Sequence, residues 1–309
     1  MSVWAYGSAM SKILVGTASW TDKSLVQSGW YPSGVSTPAD RLRYYADHFP
    51  LVEVDSTYYF LPTHENAQRW VERTPASFTF NIKAFSLFTQ HPTKPNALPR
   101  DLSIETNKRM LYLRDLPASA IERAWDEFIN ALAPLFDAGK LGVILFQYPP
   151  WFVISKKNKQ YVLECAQRVA PAKTCIEFRH YSWMRDDNQA ETLNFLNGHD
   201  LPYVCVDMPQ GFSSSLPPVL AATSDLAVVR FHGHNDAEWD TKSVQRRFAY
   251  LYSDDELKGW APKIMTLASA AKTTHVLMNN CYKDYAQRNA AKLSELLHRS
   301  PTGQPKIDV

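Results

Sequence analysis

The sequence predicts an α/β fold, a (β/α)8 barrel of the TIM type, formed as one domain over residues 1–309 with long insertions after strands 3 and 7. Eight short runs rich in Val, Ile and Phe alternate with stretches of helical periodicity, the pattern of parallel strands joined by crossover helices. The runs are spread over roughly 270 residues, which suits a closed barrel of about 250 residues plus insertions. No low-complexity run or linker interrupts the series, so no domain boundary is expected.

The strands are expected at residues 13–19, 52–57, 78–84, 142–148, 174–180, 202–207, 226–232 and 275–280. Helical periodicity places crossovers at 39–48, 64–73, 119–137, 157–169 and 188–197, and assigns none clearly between strands 6 and 7. Ser253-Asp254-Asp255-Glu256 reads as a capping box before strand 8, and Asp284 as the cap of a last helix near 285–298. The connections 85–118 and 233–252 are long enough to be lids or insertions. The first carries His91, Lys94, Arg100, Lys108, Arg109 and Arg114. The second mixes His234, Asp236, Glu238, Asp240, Arg246 and Arg247 with Trp239 and Tyr250. Functional lids and plain solvated loops explain these charges equally well.

The 33 Lys and Arg against 31 Asp and Glu leave a formal charge of +2, too balanced for general attraction to nucleic acid or an anionic membrane. Cys165, Cys175, Cys205 and Cys281 make no CxxC or Cys/His cluster and read as reduced core thiols. The N-terminal stretch has no signal-peptide pattern, and nowhere do about 18 apolar residues run together. The expectation is a soluble, cytoplasmic chain.

Side chains alternate faces along a strand, and the outward face of a barrel packs on helices and is apolar. Parity then turns Glu53, Asp55 and Thr57 inward in strand 2, Asn81 and Lys83 in strand 3, and Cys175, Glu177 and Arg179 in strand 5. Strand 7 sends Arg230 and His232 inward, strand 4 supplies Gln147 and strand 6 supplies Asp207. Lys83, Gln147, Arg179, Asp207 and His232 fall at or near the C-terminal strand ends, where barrels of this kind place their chemistry. The deeper Glu53, Glu177 and Arg230 fit either a static ion-pair network or a working part of the site.

The segments Gly16-Thr17-Ala18-Ser19-Trp20, Trp30-Tyr31-Pro32, Glu53-Val54-Asp55-Ser56-Thr57-Tyr58-Tyr59, Leu141-Gly142 through Gln147-Tyr148-Pro149-Pro150, Glu177-Phe178-Arg179-His180-Tyr181-Ser182-Trp183, Arg230-Phe231-His232-Gly233 and Asn279-Asn280 stand in a characteristic order. In order and spacing the chain resembles the YecE-like family, the domain of unknown function 72, over about residues 12–297. The resemblance implies a TIM-type barrel and brings no reaction, cofactor or catalytic residue with it. Asp55 stands where relatives commonly have Asn, and Thr89-Gln90-His91 replaces an adjacent Thr-His.

The favoured reading is an enzyme acting on a small polar or anionic metabolite, with its cofactor unassigned. Lys83, Glu177, Asp207 and His232 are the catalytic candidates, with Lys83 an electrostatic group ahead of a Schiff-base former. Trp20, Asp55, Tyr58, Gln147, Arg179, Trp183, Arg230 and Asn280 are the substrate-binding candidates, Arg179 by a two-pronged contact and the aromatic rings by stacking or as loop anchors. An alternative builds a divalent-metal hydrolase or isomerase from Glu177, Asp207 and His232 with Asp55 or Asn280 nearby, although Lys83, Arg179 and Arg230 would repel a cation. Glycine-rich phosphate loops, GxGxxG and GxxxxGK[ST] are all lacking. A second alternative, less favoured because of the balanced charge, is a non-enzymatic single-stranded nucleic-acid or ligand-binding module that uses the basic loop 85–118 and the aromatic rim.

Overall fold

In the computed structural model, which describes residues 11–99, 107–239 and 244–298, eight strands form one parallel sheet. They are β1 Lys12–Ala18, β2 Leu51–Val54, β3 Thr79–Lys83, β4 Leu141–Gln147, β5 Thr174–Glu177, β6 Val204–Asp207, β7 Leu226–Phe231 and β8 Thr273–Met278. The ladder runs β5-β4-β3-β2-β1-β8-β7-β6. Its two ends meet through a single parallel bridge, Ile176 to Tyr203, where the Ile176 N–H donates to the Pro202 carbonyl at 2.9 Å. The sheet is thus a nearly closed TIM-like barrel. Arg100 and Asp240, from the two insertions, and residues 1–10 lie outside the described residues.

The crossover helices follow the local signals. Helices α1 Lys23–Gln27 and α2 Pro38–His48 fill the first connection, and α2 starts at a Thr37/Asp40 capping box with Pro38 in its first turn. Helix α3 Ser56–Tyr59 is a single turn that takes over where β2 ends at Val54, so Asp55 begins a turn instead of extending a strand. Helices α4 His64–Glu72, α5 Ala118–Asp137, α6 Lys156–Arg168 and α7 Asp186–Gly198 then alternate with β3 to β6. No helix joins β6 to β7 among the described residues, in line with the missing periodic signal there. Helix α8 Val244–Arg247 lies in the second insertion, and α9 Asp254–Ser269 opens on the Ser253/Glu256 box. Helix α10 Tyr285–His298 ends the series. No described helix is long and apolar enough to cross a membrane.

Register assigns the faces. Glu53 pairs with Asn81, Gln147 with Glu177, and Val206 with Arg230. Paired residues in a parallel ladder share a face, and Arg230 bonds both Glu53 and Glu177 although β2, β5 and β7 are not neighbours, so this face is the interior. Asp207 pairs instead with Phe231, whose ring packs on Tyr252 and Trp260 outside the sheet. The expectation that Asp207 points inward is therefore corrected: β6 presents Val204 and Val206 to the interior and Asp207 to the outer layer.

Gly16 marks a close approach of β1 to β2. A Cβ built on it would lie 1.9 Å from the Leu51 carbonyl oxygen, a backbone atom that no rotamer change can move. Gly16→Ala is expected to lower unfolding stability by about 3 kcal/mol, read from the urea midpoint; a wild-type midpoint would refute this account of β1–β2 packing.

Candidate functional site

Arg230 lies at the centre of the barrel and is fully buried. Its Nη1 donates to Glu177 Oε2 and its Nη2 to Glu53 Oε1, each at 2.5 Å. Glu177 is the hub of the cluster. Its Oε1 accepts from Gln147 Nε2 at 2.6 Å and Arg179 Nη1 at 3.2 Å, and lies 3.1 Å from His232 Nε2. The second ring nitrogen of His232 lies 2.8 Å from the Asn279 amide nitrogen, which donates to it. The imidazole is thereby the Nε2–H tautomer, with both nitrogens engaged by the protein.

Charge settles unevenly over the cluster. Burial alone would raise the Glu177 pKa, but Arg230, His232 and Arg179 outweigh it and hold this carboxyl well below its usual range. The Glu53 carboxyl accepts from Arg230, and burial raises its pKa to about 7 against the pull of that guanidinium. Burial also lowers His232 to about 4, so it is neutral beside an ionised Glu177.

Above this cluster a cavity of about 510 Å³ opens at the C-terminal strand ends. Five of the expected residues, Asp55, Tyr58, Lys83, Gln147 and Arg179, line it. Lys83 Nζ is 3.6 Å from Asp55 Oδ1 and sits 4.8 Å from the Tyr58 ring centroid. Arg179 stacks over Trp239 of the second insertion at 5.0 Å. Glu177, Arg230 and His232 lie beneath the cavity, not in its wall.

Four expected site residues stand elsewhere. Trp20 packs edge-on to Trp70 and Phe80 in the layer between sheet and helices, 6.1 and 6.5 Å away. Trp183 stacks on Phe178 at 3.8 Å and donates its indole N–H to the Phe152 carbonyl. Asn280 donates to Asn289 Oδ1 and the Tyr250 carbonyl, away from the cavity. Asp207 accepts from Tyr252 OH at 2.7 Å and lies 2.7 Å from His234 Nε2, which separates it from Glu177 and His232 and leaves the metal triad unassembled.

Several cavity residues escape the strand-by-strand reading. Asn279, one position before the expected Asn280, has the inward parity, as its contact with His232 shows. His91 comes from the first insertion, where the Thr89-Gln90-His91 departure was the available signal. Burial, then the charges of Lys83 and Arg179, push its pKa down to about 3. Arg247 and Phe248 enter from the second insertion, and the partly exposed Cys281 from the segment after β8.

Two outcomes follow for the buried cluster. Arg230→Met leaves two carboxyls without their shared cation and is expected to cost about 3–5 kcal/mol in urea denaturation; a loss under about 1 kcal/mol would refute the network's structural weight. Glu53 is raised from 4.5 to about 7 in the fold, so the native state holds its proton more tightly. This residue's stabilising effect is full below the unfolded value and is lost as pH rises through that window. The stability of wild type relative to Glu53→Gln should fall between pH 4.5 and 7, and a flat difference would show that Glu53 is ionised throughout.

Known proteins show the same architecture. Residues 14–308 match the family described as "Protein of unknown function DUF72". The chain is 30% identical over 291 residues to the UPF0759 protein YunF of Bacillus subtilis (strain 168), covering 92% of this chain and 94% of that one. A crystal structure of a DUF72 family protein from Thermotoga maritima superposes with a TM-score of 0.72 at 29% identity, covering 93% of this chain and 99% of that one. A DUF72 family protein from Enterococcus faecalis gives a TM-score of 0.76 at 24% identity, covering 96% and 100%, a likeness of fold. The family match spans nearly the whole chain, and this protein belongs to the DUF72 family.

Proposed function

We propose that this protein is an enzyme acting on a small polar or anionic metabolite held in the cavity at the C-terminal strand ends. The observation that carries the reading is Arg179. Its side chain is only 11% exposed, one nitrogen is tied to Glu177 from below, one face is covered by Trp239, and Nε has no hydrogen-bond partner among the described residues. A guanidinium held this way is pre-oriented, so little side-chain entropy is lost when it binds a carboxylate or phosphate.

Lys83 adds a second cation in the same wall, and the cavity volume falls within the range of about 300–1,000 Å³ common for small-molecule sites. Paired with Asp55, Lys83 acts as a point charge that is shared with an incoming anion. Glu177 and His232 act from behind, one fixing Arg179 and Gln147, the other fixing Glu177 and Asn279. Chemistry at this end of a TIM-like barrel is the general pattern for such folds.

The test has two stages. In calorimetric titration with succinate and n-propyl phosphate, wild type is expected to bind at least one anion, and Arg179→Ala and Lys83→Ala each to bind it at least about tenfold more weakly with an unchanged thermal midpoint. Unaltered affinity in Arg179→Ala would overturn the anion site. Incubation with a metabolite extract should then deplete a component with wild type and not with Arg179→Ala; depletion by both or by neither would count against an enzyme. Retention of single-stranded oligonucleotide with steep salt dependence, and no small anion bound, would point to nucleic acid instead.

A further inference from the structure

We propose that His91 is the hydrogen-bond acceptor that sets ligand choice in this cavity, which takes anions bearing a hydroxyl group close to the anionic group, such as a hydroxy acid or a hydroxyalkyl phosphate. The proposal rests on the anion-binding reading above and adds the second recognition element.

The placement of His91 is set by its own loop. The 3-10 turn Ser86–Thr89 ends at Gln90, whose φ of 61° puts a non-glycine residue in the left-handed region. The chain then folds back, with the His91 N–H donating to the Ser86 carbonyl at 3.0 Å. The extra residue between Thr89 and His91 is thereby absorbed, and the imidazole reaches the cavity wall. Tyr58 and Trp151 hold the ring edge-on from two sides, 5.3 and 5.7 Å between centroids.

Its hydrogen bonds select one tautomer. The buried Thr89 hydroxyl donates to the Ser86 carbonyl at 3.2 Å, and Thr89 Oγ1 lies 2.9 Å from His91 Nδ1. With its proton used on the carbonyl, the hydroxyl accepts from Nδ1–H, which leaves Nε2 unprotonated. Burial, and then the charges of Lys83 and Arg179, oppose an imidazolium at this position and keep the ring neutral. No described residue bonds Nε2. Lys83 and Arg179 only donate, whereas Nε2 only accepts. A ligand satisfies both when an anionic group meets the cations and a neighbouring O–H meets His91.

Two matched ligand pairs test the proposal, succinate against malate and n-propyl phosphate against 2-hydroxypropyl phosphate, each titrated calorimetrically into wild type, His91→Phe and Thr89→Val. Wild type is expected to prefer the hydroxylated member of a bound pair by at least about fivefold, the scale of one added hydrogen bond in a site built to accept it. In His91→Phe this ratio should fall to about one, and because it is taken within each variant, any general change in affinity cancels. Thr89→Val removes the acceptor for Nδ1–H, frees the tautomer and should reduce the ratio even where His91→Phe folds poorly. Equal binding of both members by wild type, or a full preference surviving in both variants, overturns the role of His91. Failure of wild type to bind any of the four anions overturns instead the anion-binding reading.

Discussion

A buried guanidinium shared by two carboxyls governs this molecule. Arg230, Glu53 and Glu177 come from strands separated in the ladder, so their ion pairs form only when the sheet curls until its opposite sides face one another. Taking these groups out of water costs several kcal/mol each, and the network offsets that cost only if all its members are in place. The same constraint orders the site above. Glu177 spends one oxygen on Arg230 and the other on Gln147, Arg179 and His232, so the groups that floor the cavity are oriented by the group that holds the interior together.

The insertions complete the cavity from above. The first carries His91, and the second carries Trp239, Arg247 and Phe248. Asp207 belongs to this part of the molecule. Through Tyr252 and His234 it clasps both ends of the second insertion to the end of β6, and Tyr252 OH also receives the Gly233 N–H at 2.9 Å. Hydrogen bonding to Asp207 raises the His234 pKa, which strengthens the clasp as an ion pair at lower pH. A carboxylate with the strand-end position of a catalytic group thus serves to hold a loop.

Much of the interior was legible because β2, β3, β5 and β7 alternate cleanly between apolar and polar residues. In those strands the pleat alone places Glu53, Asn81, Glu177 and Arg230 on one side of the sheet. The rule misleads at β6, where Tyr203, Cys205 and Asp207 alternate with Val204 and Val206 but the apolar pair faces inward. It slips by one residue after β8, where two adjacent asparagines carry no contrast for parity to use and Asn279, not Asn280, meets His232. Trp20 and Trp183 read as rim residues from their position after strands, yet each finds a better partner in the layer beneath the helices.

By itself the sequence determined the barrel, the order of its strands and the identity of its buried charges, because hydrophobic period and side-chain alternation are local properties of a chain. Tertiary structure alone decided which charges face the cavity and which lie beneath it, that His91 joins Lys83 and Arg179, and that Asp207 leaves them. Those outcomes depend on where long insertions return and on how the register closes across non-adjacent strands. Such contacts join residues far apart in the chain, and no periodicity within a segment encodes them.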